Sequence, residues 1–141
     1  TFYKRLKAGQ NCFCSDTSRD FLDMSDFLSF MDLAIQSDAP TGLFNLSTGE
    51  AHSIKEIFDL VSDYLELESK EVPIVPPAAD DVPIVCLDAS QTNHAFGWKA
   101  NIGFTEMIRR QLAWYDQHGV TDVFSHLKAL SINESKKECI Y

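Results

Sequence analysis

The sequence predicts a mixed α/β domain, α/β in class with an α+β arrangement of its strands. Three observations lead there. Stretches with apolar residues at helical spacing alternate with short β-type runs along the 141 residues. Gly, Pro, Ser and Asp punctuate the boundaries between them. Hydrophobic residues make up 45% of the chain and charged residues 23%, ordinary globular usage that leaves enough apolar material for a core.

In chain order, residues 1–8 read as a helix with Phe2, Tyr3 and Leu6 apolar, stopped at Gly9. Cys12-Phe13-Cys14 reads as a short strand, Ser15 to Ser18 as a polar turn, and Arg19 to Met24 as a second strand. Ser25 is the expected cap of a helix whose Phe27, Leu28, Met31, Ala34 and Ile35 face a core. Gly42 to Ser47 reads as a strand ending in the Thr48-Gly49 turn. Ser53-Ile54-Lys55-Glu56 is a capping box, in which hydroxyl and carboxylate satisfy two orphan N–H groups. Behind it, Ile54, Ile57, Phe58, Val61, Tyr64 and Leu65 form one apolar stripe, predicting a helix over 53–66. Val72 to Val75 is a strand with an edge-marking Pro73, 76–81 a loop, and Val82 to Leu87 a further strand. Ser90 is expected to cap a short helix ending at Gly97, and Thr105 a long one through Tyr115. Trp98 and Trp114 read as packing anchors, and the tail from Ser125 as mixed and frayed. The order is α-β-β-α-β-α-β-β-α-α.

Charge and composition narrow the function. Twelve Lys and Arg stand against 21 Asp and Glu, a net charge of −9. Such a surface repels nucleic acid and anionic lipid, so neither is an expected partner. No run approaches the ~18 apolar residues of a membrane span. Cys12, Cys14, Cys86 and Cys139 give neither zinc spacing nor a disulfide framework, and reduced thiols in a cytoplasmic protein are the expectation. The opening Thr1-Phe2-Tyr3 has no initiator methionine and no leader character, and reads as cut from a longer chain.

Catalytic templates are sparse. Gly-x-Gly-x-x-Gly, Gly-x-x-x-x-Gly-Lys and Gly-x-Ser-x-Gly are absent, and His52, His94, His118 and His126 share no metal-binding spacing. Asp80-Asp81 reads as a solvated turn. One cation stands apart from the helix-borne Arg5, Arg109 and Arg110: Arg19, between a turn and an apolar run, among acids. It either clamps a phosphate bidentately or pairs with Asp20, Asp23 or Asp26.

The segment Arg19-Asp20-Phe21-Leu22-Asp23-Met24-Ser25-Asp26 resembles the Arg-Asp-Phe stretch of the extended short-chain dehydrogenases/reductases, the NAD-dependent nucleotide-sugar epimerases and dehydratases. The likeness continues through Lys4 to Gln10, Gly42 to Glu50, Ser53 to Glu56, Asp80-Asp81-Val82, Leu87-Asp88-Ala89-Ser90, Phe96-Gly97-Trp98-Lys99 and the helix reaching Trp114-Tyr115. It covers about residues 1–118.

The resemblance implies that residues 1–124 are the C-terminal, substrate-binding portion of such an enzyme and 125–141 a tail. It implies a small substrate-binding subdomain, with strands and helices that would complete a Rossmann-type sheet. NAD or NADP would belong to the full-length enzyme and none to this chain alone, which is taken to lack the Gly-rich turn and the catalytic Tyr-x-x-x-Lys pair. The implied ligand is a nucleotide diphosphate sugar. Arg19 matches the arginine that binds its diphosphate, Cys12, Phe13 and Cys14 the strand lining the base pocket, and Arg5 offers a second cation. The family's arginine before Gly-Asp-Val is replaced here by Ala78-Ala79. The strand at 42–47 would join the missing Rossmann half, so isolation leaves an apolar edge for that half or for self-association. Two other readings stand: a complete, non-catalytic nucleotide-sugar module, and a structural or interaction domain.

Overall fold

The computed structural model describes residues 1–68 and 71–120. Ten elements follow in order: α1 (Phe2–Lys7), β1 (Cys14–Ser15), β2 (Ser18–Asp20), α2 (Met24–Ala34), β3 (Ala51–Ser53), α3 (Ile54–Tyr64), β4 (Ile74–Val75), β5 (Ile84–Val85), α4 (Ser90–Phe96) and α5 (Phe104–His118). The order is the expected one. β1 pairs with β4 in parallel, and a second sheet runs β3-β2-β5, with β2 antiparallel to β3 and parallel to β5.

The core is built where the apolar stripes converge. Tyr3 and Leu6 of α1, Cys14 of β1, Phe58 and Val61 of α3 and Leu112 of α5 form one buried cluster. A second cluster is aromatic: Phe30 of α2 meets Phe96 and Trp98 edge-on, and Phe44 meets Phe96. Such edge-to-face pairs satisfy ring quadrupoles as well as burying area.

Several boundaries differ from expectation. Of Cys12-Phe13-Cys14 only Cys14 enters a strand, its N–H donating to Pro73 O at 2.9 Å. The second strand stops at Asp20, because Asp23 caps α2 by accepting from the Ser25 N–H at 2.7 Å; a carboxylate displaces the expected Ser25 cap. Residues 42–47 form no strand. Asn45 Nδ2 donates to Asp88 O, Ser47 Oγ to Leu87 O and Thr92 Oγ1 to Asn45 O, so side chains tie this segment down in place of a ladder. The strand lies instead at Ala51–Ser53, directly before the capping box, which forms as expected. Ser90 and Thr105 fall inside their helices: the Asp88 side chain receives the Ser90 N–H, and Gly103 is the N-cap of α5.

Trp98 is buried, whereas Trp114 is half exposed and stacks on His118. Nor does the outer stripe of α2 join a core. Met24, Leu28 and Ile35 are 67%, 56% and 70% exposed, with Phe27 and Met31 beside them. Among the described residues no helix is long and apolar enough to cross a membrane. The expected tail from Ser125, with Cys139, lies outside the described residues.

Candidate functional site

The middle strand of the three-stranded sheet carries Arg19, and the register fixes its neighbours. Arg19 stands opposite His52 of β3 and beside Val85 of β5. Directly opposed residues of an antiparallel pair share a face, so Arg19 and His52 project to the same side. Asp20, next along the strand, turns to the other face. Its carboxylate accepts from Thr48 N–H, Thr48 Oγ1 and Gly49 N–H at 2.7–2.9 Å, fixing the turn that leads into β3.

The guanidinium of Arg19 is held at three points. Nη2 donates to Asp81 Oδ1 at 2.5 Å, and Nη1 donates to Ser18 O at 2.8 Å and to Pro83 O at 3.4 Å. The charge partner is therefore Asp81, not Asp20, Asp23 or Asp26. Each of those three is already spent on backbone N–H groups: Asp20 on the 48–49 turn, Asp23 on the cap of α2, and Asp26 on Asn101 and Ile102. Asp81, expected in a solvated turn, is a charge partner of Arg19.

Beside His52 the surface dips into a cavity of about 160 Å³, lined among others by Phe21, Glu50, His52, Lys99, Asn101 and Phe104. The His52 and Phe104 rings stack at 3.8 Å with parallel planes, and Phe21 lies 5.6 Å from Phe104. His52 Nδ1 meets Glu56 Oε1 at 3.2 Å, and its other ring nitrogen faces Glu50 at 3.9 Å. Glu56 is held below the usual carboxylate range, chiefly by the Ser53 backbone N–H, then by His52 and the Ser53 hydroxyl. A shallower groove of about 420 Å³ runs past Thr48, Gly49, Cys86, Asp88 and Ser90. Arg19 lines neither cavity.

The remaining sequence-predicted residues lie on the first sheet and α1. Cys14 is fully buried in the core, and burial pushes its thiol up to about 11, so it offers a pocket only backbone groups. Cys12 is half-buried, its thiol raised by burial and drawn back by the charge of Arg5. Arg5 and Cys12 are thus brought within electrostatic reach. Phe13 sits half-buried between the two cysteines.

The Tyr-x-x-x-Lys spacing expected to be absent is present. Tyr3-Lys4-Arg5-Leu6-Lys7 carries it, and Lys7 Nζ donates to Tyr3 Oη at 2.8 Å. The pair serves the core instead of a cleft. Tyr3 is buried and its hydroxyl donates to Asp116, which also accepts from Lys7 and Tyr64. Sequence reasoning missed the Arg19–Asp81 pair, the His52–Phe104 stack and this Asp116 hub. The first and last span 62 and more than 100 residues, beyond any local signal; the capping box alone marks the neighbourhood of His52.

The GDP-mannose 4,6 dehydratase family model matches residues 4–111. The Bordetella bronchiseptica enzyme WbmG, solved in complex with NAD and UDP, is 64% identical, with a TM-score of 0.83 over 91% of this chain and 42% of its own. WbmH of the same organism, solved with NAD+, is 30% identical, with a TM-score of 0.76 over 84% of this chain and 40% of its own. The bifunctional UDP-glucose 4-epimerase and UDP-xylose 4-epimerase 3 of Arabidopsis thaliana is 31% identical over 106 residues, which are 66% of this chain and 29% of that protein. The chain thus spans about two fifths of the solved relatives and under a third of the curated one. With the Arg-Asp-Phe strand, the capping box and the element order all in place, the chain belongs to the GDP-mannose 4,6-dehydratase family, within the NAD-dependent nucleotide-sugar epimerases and dehydratases of the extended short-chain dehydrogenase/reductase group, and covers part of such an enzyme.

Proposed function

We propose that residues 1–124 are the nucleotide-sugar-binding portion of an NAD-dependent epimerase or dehydratase, with 125–141 as its tail. The observation that carries this reading is the 64% identity to WbmG, solved with NAD and UDP. Arg19 is the residue assigned to the diphosphate. A planar, permanently charged fork matches two phosphate groups, and the strand register holds it in one place. Arg5, Cys12, Phe13 and the backbone of Cys14 are assigned to the nucleoside end.

The residues of this chain do not fit the dinucleotide. Its six glycines stand singly, so it offers no Gly-rich cradle for a pyrophosphate at a helix start. NAD or NADP is therefore assigned to the portion of the enzyme beyond this chain, and no hydride step is derived for the residues present. That portion, or a second copy, is the proposed cover for the apolar face of α2.

Titration calorimetry with UDP and GDP tests the reading. Wild-type protein should bind, and Arg19→Ala should weaken binding by roughly 30-fold, the equivalent of about 2 kcal/mol for a lost charge-assisted pair. Equal binding by both proteins removes Arg19 from the site. A second reading, a structural or interaction domain, is favoured by the pairing of Arg19 with Asp81; wild-type protein silent toward both nucleotides supports it.

A further inference from the structure

We infer that Asp81 is a positioning residue that sets how tightly Arg19 takes a diphosphate, as a resident carboxylate that the incoming phosphates must displace. The inference rests on the reading of Arg19 given above. A guanidinium has five N–H donors. Nη1 spends its donors on two backbone carbonyls, Ser18 O and Pro83 O, which fix the side chain against the seam between β2 and the segment entering β5. Nη2 gives one to Asp81. Among the described residues nothing accepts from the Nε–H or the second Nη2–H, which leaves two donors for a ligand.

Two donors suffice for one bidentate anion, but that anion would then share a guanidinium with a carboxylate. Unlike-charge attraction draws each anion to Arg19, and like-charge repulsion sets them against each other at a few ångströms. The two carbonyl contacts are neutral and can stay. Asp81 is the group whose charge competes, and its position lets it leave. Its side chain is 38% exposed, and it ends an irregular loop pinned by a single turn bond, Asp81 N–H to Ala78 O at 2.9 Å. Unlike Asp20, Asp23 and Asp26, it accepts no backbone N–H among the described residues, so removing its charge leaves no helix cap or turn unsatisfied.

The test compares wild type, Asp81→Asn, Asp81→Glu and Arg19→Ala. Titration calorimetry with UDP and with inorganic pyrophosphate reads affinity. Phenylglyoxal labelling of Arg19, followed by peptide mass spectrometry, reads its hold without any ligand. Asp81→Asn should bind both ligands about tenfold more tightly, with a steeper loss of affinity as salt rises, and its Arg19 should label several-fold faster. Asp81→Glu should return both readouts toward wild type. Unchanged or weaker binding by Asp81→Asn overturns the inference, as does labelling at the wild-type rate. If wild type ignores both ligands, the functional reading fails by itself, and the labelling rates still decide whether Asp81 governs Arg19.

Discussion

Asp116 shows what one carboxylate can organise. It accepts from the Tyr3 hydroxyl, from Lys7 Nζ at 3.0 Å and from the Tyr64 hydroxyl at 2.7 Å, joining α1, α3 and α5. Those three donors hold its carboxyl down to about 2, Tyr3 contributing most. An unfolded Asp titrates near ~3.9. The folded value is the lower one, so the stabilisation is fully present above pH ~4 and is lost as the pH falls toward ~2. Thermal melts over that range should show a midpoint that drops steeply in wild type and less in Asp116→Asn, with a residual slope from Glu56, which is depressed in the same sense. At this scale the sequence is legible only where partners are close along the chain. Ser53 and Glu56 announce each other from three residues apart. Tyr3 and Lys7 carry a catalytic-looking spacing that Asp116, 113 residues from Tyr3, turns to structural use. Arg19 is visible as an unusual cation, but its partner is not, because the three nearer acids are consumed by backbone donors that only the fold brings to them.

α3 is the element read most accurately, because its signals are local and agree: a capping box, a clean stripe and no internal breaker. Ser53 Oγ accepts from Glu56 N–H at 3.1 Å, and Glu56 Oε2 accepts from Ser53 N–H at 2.6 Å. Replacing Ser53 by Ala removes one half of this exchange, and urea denaturation should show a loss of about 1 kcal/mol. The same serine ends β3, so the cap also holds the strand that faces Arg19. The 42–47 segment shows the opposite case. Gly-Leu-Phe-Asn-Leu alternates well enough for a strand, yet β structure is made by a partner, and here Asn45, Ser47 and Thr92 supply side-chain bonds instead. α2 was legible as a helix, and the side on which its stripe would be covered was not.

At the scale of the molecule that stripe is an exposed apolar face among the described residues. Met24, Phe27, Leu28, Met31 and Ile35 span an arc of roughly 100° beside the inward-facing Asp26 and Phe30. Both sheets also contain parallel pairs only two residues long, a pairing normally enclosed on both faces. Where a second copy supplies the cover proposed above, the double change Leu28→Glu and Met31→Glu should lower self-association in sedimentation velocity and leave the thermal midpoint within a few degrees, since the core beneath is not touched. A midpoint that falls with the association would mean that the stripe stabilises the isolated fold.

β2 lies between β3 and β5. Residue 19 reaches its working position only after stretches some thirty and sixty-five residues downstream have closed on it from either side. On the proposed reading, an anion held by Arg19 would fasten a seam between remote parts of the polypeptide. On that reading mass action would favour the closed β3-β2-β5 sheet over any state in which its strands part.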